Sequence, residues 1–225
     1  MNFSREDLDA FNEEKIRLAN EISEIYDLKD IQTVIREYLN RLSLLFEYEI
    51  QQSSVKIACS QGCSYCCRHN RVEVFIFEVF VIVDYINRTF SKKRIDQLID
   101  SLRSTVLAVS NETATIHSHY FKKCVLLEND QCLVYDVRPI NCRQFHSIDL
   151  SLCEKKFNNP SFPVKDPSDK KLRRRLHAVI AGFEDAFVQK RFDMTRYELN
   201  QALLTLLEDP NLMQDLFKLN IKNNK

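Results

Sequence analysis

The sequence predicts a mainly α-helical fold: a helical domain in which a small β-hairpin and loops clamp a cysteine-rich metal centre. Three observations predict it. Only two glycines occur in 225 residues, Gly62 and Gly182, too few for a fold rich in tight turns. Apolar residues recur at helical spacing through much of the chain. Eight cysteines fall in two groups, Cys59, Cys63, Cys66 and Cys67, then Cys124, Cys132, Cys142 and Cys153, with 56 residues between Cys67 and Cys124.

Taken in order, residues 4–20 and 28–52 read as helices, the second with Ile31, Val34, Ile35, Tyr38, Leu39, Leu42, Leu45 and Phe46 on one stripe. Residues 53–71 form the first cysteine loop, where Gly62 permits a sharp turn and a close approach to a metal. The stretch from Val72 to Phe90 carries both strand-like composition and helical spacing; its length favours a helix, since strands rarely exceed about ten residues. Residues 91–121 continue as a polar-faced helix. A hairpin follows, with Cys124-Val-Leu-Leu and Cys132-Leu-Val-Tyr flanking a turn at Glu128-Asn-Asp-Gln. Pro139 suits the first turn of a helix, where its missing N–H leaves no bond unmade. Pro160, Pro163 and Pro167 mark a linker, and 169–191, 196–208 and 211–219 read as helices. The organisation expected is 1–54 as N-terminal helices, 55–157 as the cysteine core, and 158–225 as linker and C-terminal helices, together one compact domain.

Composition excludes several functions. Two isolated glycines cannot build a dinucleotide fingerprint or a P-loop, whose backbone must approach phosphate without a Cβ in the way. The formal net charge is zero, and the acidic excess is local, nine Asp/Glu against four Lys/Arg in residues 1–30, as on a solvated helix face. Lys170 to Arg175 holds five basic residues in six, which also reads as a solvated helix face, so no nucleic-acid partner is expected. The most apolar stretch, Val72 to Ile86, is interrupted by Glu73, Glu78 and Asp84 and falls short of the roughly 18–20 clean residues of a bilayer span. With no basic and apolar leader at the start, the expectation is a cytoplasmic protein without a membrane partner.

That location governs the cysteines. Thiols in a reducing compartment, four of them within nine residues, are ligands before they are disulfides. Cys59, Cys63 and Cys66 on one short loop can face a single centre, and either tetrahedral zinc or an iron–sulfur cluster then needs a ligand from the later group. Cys66 and Cys67 start in different directions, so one of the pair has a separate role. Cys142 is placed at the start of a helix, where free N–H groups favour a thiolate. Arg138 and Arg143 flank it as candidate counter-charges, with an Arg138–Asp136 surface pair as the plainer alternative. His117 and His119 point apart on a helix and read as surface residues, and His69 as a neighbour of the site rather than a ligand. Glu73 and Glu78 lie in an apolar segment but not on one helical face.

The run Cys59-x3-Cys63-x2-Cys66-Cys67, Cys124-x7-Cys132-Leu-Val-Tyr-Asp-Val-Arg-Pro-x2-Cys142-Arg-x-Phe and Cys153 resembles the YkgJ-type cysteine-cluster family, a zinc- or iron-chelating domain that includes flagellin lysine methylases. The resemblance spans roughly 55–155 and takes in all eight cysteines. Val125 and His146 stand where the family often has proline. It implies metal held by Cys59, Cys63, Cys66, Cys67, Cys124, Cys132, Cys142 and Cys153 and leaves the metal's identity open; an iron–sulfur cluster is the expectation here, with zinc the alternative. It would also imply protein lysine methylation by S-adenosylmethionine, but the chain has no separate segment large enough for a methyltransferase fold. The same first triad matches the spacing of radical S-adenosylmethionine enzymes, whose repeated strand–helix units and glycine-rich contacts are missing here. The expectation is therefore a cytoplasmic cluster protein, redox-active or cluster-dependent in protein modification, with a protein partner or protein substrate. The alternative is a zinc-stabilised interaction protein without catalysis.

Overall fold

The computed structural model describes residues 3–60, 62–68, 71–110, 123–159, 162–163 and 166–222. Helices dominate, and the only sheets among these residues are two antiparallel strand pairs. Helix α1 (Arg5–Ser23) begins at a capping box, in which Ser4 accepts from the Asp7 N–H and Asp7 accepts from the Ser4 N–H at 2.8 Å. Helix α2 (Leu28–Gln52) repeats the device with Asp27 and Asp30. The predicted stripe from Ile31 to Leu42 is its buried face.

The ambiguous stretch after the first cysteine loop is both things in turn. Strand β1 (Glu73–Phe75) leads directly into helix α3 (Ile76–Thr89), not one helix from Val72. Every residue from Val74 to Val83 is buried, Glu78 included. A helix apolar on all sides belongs in the interior, and α3 packs between α2 and the late helix α8 (Leu199–Glu208). Helix α4 (Lys92–Ser110) follows; the rest of the helix expected to 121, with His117 and His119, lies outside the described residues, as does His69.

The hairpin is present but shorter than expected: β2 (Leu127–Glu128) pairs with β3 (Gln131–Cys132) through Leu127↔Cys132 and Glu128↔Gln131. Asn129 and Asp130 both take positive φ, 49° and 60°, the geometry of a two-residue hairpin turn that Asn and Asp tolerate. Helix α5 (Ile140–Gln144) starts behind Pro139. An unforeseen helix α6 (Leu150–Asn158) carries Cys153, its N–H groups capped by Asp149. Helix α7 (Lys170–Gln189) runs to the predicted limits from an Asp169 cap. The segment expected as one helix from Arg196 opens instead with β4 (Arg196–Glu198), which pairs with β1 before α8 and α9 (Pro210–Lys222).

Around α3 sits an aromatic cluster: Tyr38 stacks on Phe183 at 4.3 Å, and Phe77, Phe187 and Phe192 interlock beside it. Carboxylates engage the basic run. Arg173 meets Asp166, Arg174 meets Asp7 at 2.5 Å, and Arg175 meets Glu6 and Glu49. No helix among the described residues is long and apolar enough to cross a membrane.

Helices α1 and α7 lie along each other, and their closeness depends on Gly182. A Cβ there would stand 2.5 Å from the Phe11 carbonyl oxygen and 3.3 Å from the Lys15 nitrogen. In an open helix, alanine gains about 1 kcal/mol over glycine, whereas forcing packed backbones apart loses about 1–3 kcal/mol. Gly182→Ala is expected to lower stability in urea denaturation; a gain would contradict the close approach.

Candidate metal centre

The first cysteine loop is held in place by its neighbours more than by its own structure. Gly62 takes φ 83°, a left-handed position that side chains rarely adopt, and the next turn closes by Cys63 N–H donating to Ser60 at 3.0 Å. Cys66, Cys67 and Arg68 form a single 3₁₀ turn. Buried Ser64 donates to Asp130 at 2.7 Å, and Arg68 bridges Ser64 and Asp130, so the loop is tied to the hairpin turn. One residue from that anchor, the Cys124 N–H donates to the Cys67 carbonyl at 2.7 Å.

The loop's other edge rests on α6. Tyr65 donates to Glu154 at 3.1 Å and its ring meets Phe157 edge-on. Ala58 N–H donates to the Ser147 carbonyl at 2.7 Å. His146 is buried and bridges Gln144 to the cap of α7: its Nδ1 lies 3.0 Å from the Gln144 carbonyl, and Nε2 accepts the Asp169 N–H at 3.1 Å. With both ring nitrogens engaged, it serves the scaffold.

Cys142 is positioned by Glu78. One carboxylate oxygen accepts the Phe75 N–H at 2.8 Å, opening α3, and the other accepts the Ile140 N–H at 2.7 Å, opening α5. Asn141 adds a bond to the Glu73 carbonyl at 2.6 Å. Glu78 is thus the residue that sequence reading undervalued. An acid three residues after a strand end, in an otherwise apolar run, was the capping-box signal available for it.

Seven of the eight cysteines line one cavity of about 1430 Å³; Cys153 is not among its lining residues. All eight are free thiols. The sulfurs of Cys66 and Cys67 lie 3.9 Å apart. Among the described residues no three Cys, His, Asp or Glu side chains converge at joint ligand distance, so the thiols ring the space without closing on a point. The donor chemistry fits a thiophilic metal, and the cavity has room for one.

Electrostatics divides the thiols. The thiol hydrogen bond from Cys66 favours the Cys67 thiolate, with help from Arg138 and Arg68, and its pKa falls to about 7. Burial pushes Cys124 up to about 12 and raises Cys132. Cys142 is raised as well, first by burial and then by Cys124, Cys67 and Cys132. The expected thiolate stabilisation at the start of α5 does not prevail: that helix has five residues, and its first N–H is already taken by Glu78. The two arginines also divide differently from expectation. Buried Arg143 donates to the carbonyls of Arg138 and Asp136 and to Ser43, so it braces the backbone. Arg138 lies 3.8 Å over the Tyr135 ring rather than on Asp136, with a buried Nε that has no partner, and its charge reaches Cys67 and Cys132.

Residues 58–163 match the family model CxxCxxCC, described as "Putative zinc- or iron-chelating domain", and this span contains all eight cysteines. No curated protein and no solved structure matches the chain.

Burial raises Glu78 from 4.5 to about 7, against the pull of its two N–H partners and of Arg196 and Arg143. A carboxyl easier to protonate in the fold than in the unfolded chain favours folding fully below the unfolded value, and that contribution is lost as pH rises through about 7. Metal-free wild type should therefore lose on the order of 3 kcal/mol relative to Glu78→Gln between about pH 4.5 and 7, by urea midpoints. Parallel profiles for the two chains would contradict this.

Proposed function

We propose that this chain, whose residues 58–163 match the CxxCxxCC zinc- or iron-chelating domain model, is a cytoplasmic protein holding an iron–sulfur cluster through thiolates drawn from its eight cysteines. The observation that carries the reading is seven cysteines arranged around one cavity of about 1430 Å³, more room than a single ion fills. A cluster bound by such thiolates supplies one-electron transfer. The chain's own residues supply the setting. Glu78, Asn141 and Arg143 fix the segment bearing Cys142, Asp130 and Tyr65 fix the loop bearing the first four, and Arg138 sets a positive charge beside Cys67 and Cys132.

A protein partner or protein substrate belongs to this reading. The rings of Tyr135 and Phe145 line the cavity and remain open to solvent, where a partner would meet them.

One observation favours zinc as the second reading. Two thiolates on a tetrahedral zinc stand about 3.8 Å apart, from Zn–S bonds of about 2.3 Å, and the Cys66 and Cys67 sulfurs are 3.9 Å apart. In that case the metal would hold loops together for partner binding and do no redox chemistry.

Anoxic purification followed by iron, sulfide and zinc analysis separates the two. A brown protein with iron and sulfide is expected, and Cys63→Ser and Cys142→Ser should each lower the bound metal. A colourless protein with stoichiometric zinc and no sulfide replaces the first reading by the second. Full metal retention in both variants would overturn the ligand assignment.

A further inference from the structure

Eight thiols are twice what one four-coordinate centre uses. Backbone and side-chain contacts sort them. On one side, Cys124 bonds to the Cys67 carbonyl, Leu127 N–H donates to the Cys124 carbonyl at 3.0 Å, and Leu127 is the register partner of Cys132. Those three cysteines are therefore neighbours through the hairpin. Glu78 and Asn141 hold α5 against β1 and α3, and the charges felt by Cys142 are first those of Cys124, Cys67 and Cys132.

On the other side, the Ala58–Ser147 bond sets Cys59 beside the segment that enters α6. The Tyr65–Glu154 bond and the Tyr65–Phe157 contact lay the span from Cys63 to Cys66 along α6, which carries Cys153. The thiol charges reaching Cys59 are those of Cys63 and Cys153, and the same two reach Tyr65.

Cys66 and Cys67 stand between the groups. Successive side chains of a 3₁₀ turn leave the axis about 120° apart, so neighbours on the chain face different ways. Cys67 is a charge neighbour of Cys124, Cys132 and Cys142 alike; Cys66 feels Cys67 first, then Cys142 and Cys59, one from each side, as a residue at the seam would.

We propose that the eight cysteines form two four-thiolate sets that hold two separate metal centres: Cys67, Cys124, Cys132 and Cys142 on the hairpin side, and Cys59, Cys63, Cys66 and Cys153 on the α6 side. The sets meet at the Cys66–Cys67 peptide, where their sulfurs are 3.9 Å apart. The division rests on the metal-holding reading above, and a single zinc shared by Cys66 and Cys67 is the arrangement it excludes.

The test is an anoxic titration of the metal-free, reduced, full-length chain with cobalt(II), read by its visible ligand-field and thiolate charge-transfer absorption. Wild type should saturate at about two equivalents, each with the spectrum of tetrahedral thiolate coordination. Cys142→Ser and Cys153→Ser should each leave about one tightly held equivalent, and the double variant none. Cys124→Ser and Cys63→Ser repeat the two arms should a first variant fail to fold by circular dichroism. Saturation of wild type at about one equivalent, or loss of both equivalents in each single variant, overturns the division and leaves metal binding standing. A wild-type chain that takes up no cobalt, zinc or iron overturns metal binding itself.

Discussion

One buried carboxylate joins the core of this protein to its cysteine centre. Glu78 sits among apolar residues of α3 and accepts one N–H from Phe75 and another from Ile140, residues far apart in sequence. Each N–H opens a helix and would otherwise be an orphan donor buried away from water, a loss of about 1–3 kcal/mol apiece. The same two bonds decide geometry. They fix where α3 leaves strand β1 and where α5 leaves Pro139, and Cys142 rides on α5. A neutral apolar residue at 78 would leave α5 without its anchor.

The anchor has an electrostatic consequence. It adds a negative group behind thiols that already discourage one another's ionisation, and it occupies the N–H that would have favoured a thiolate at Cys142. Arg143, the nearest buried cation in sequence, is committed to carbonyl oxygens of the preceding turn. Arg138 and Arg68 remain for Cys67. Two guanidinium groups cannot balance a set of buried thiolates, and a metal cation bonded to the sulfurs does so directly. Metal binding and the ionisation of Cys124, Cys132 and Cys142, which burial holds as thiols, are therefore one event.

Much of this was legible from residue spacing. Helical stripes located α2 and α7 almost to the residue, and the gap between cysteine groups correctly implied an intervening helical stretch. The short strands were not legible, because three-residue strands before Ile76 and Leu199 carry no alternation long enough to register, and each is specified by pairing with the other across the sequence. Helix α6 escaped for a related reason: nine residues with no fully buried face give no apolar stripe, and its start depends on the Asp149 cap. At the site, cysteine identity was readable, but the roles of Arg143, His146 and Glu78 were not. Each acts through backbone groups that sequence does not place.

The anchors of the first cysteine loop explain why the site can be both preassembled and open. Asp130 and Ser64 fasten it to the hairpin, Tyr65 fastens it to α6, and Glu78 reaches it only indirectly through α5 and β1. None of these is a deep hydrophobic contact; Cys59 is exposed and Cys63, Cys66 and Cys67 are half-buried. A loop held by a few polar bonds at its edges has low local stability, whereas the α3 core behind it is rigid. Seven of the sulfurs are thus brought to one cavity by a firm scaffold, with the loop as the least firmly held part of its wall. Under the metal-holding proposal, stability of the loop and occupancy of the centre would rise together, as coupling between metal binding and folding requires.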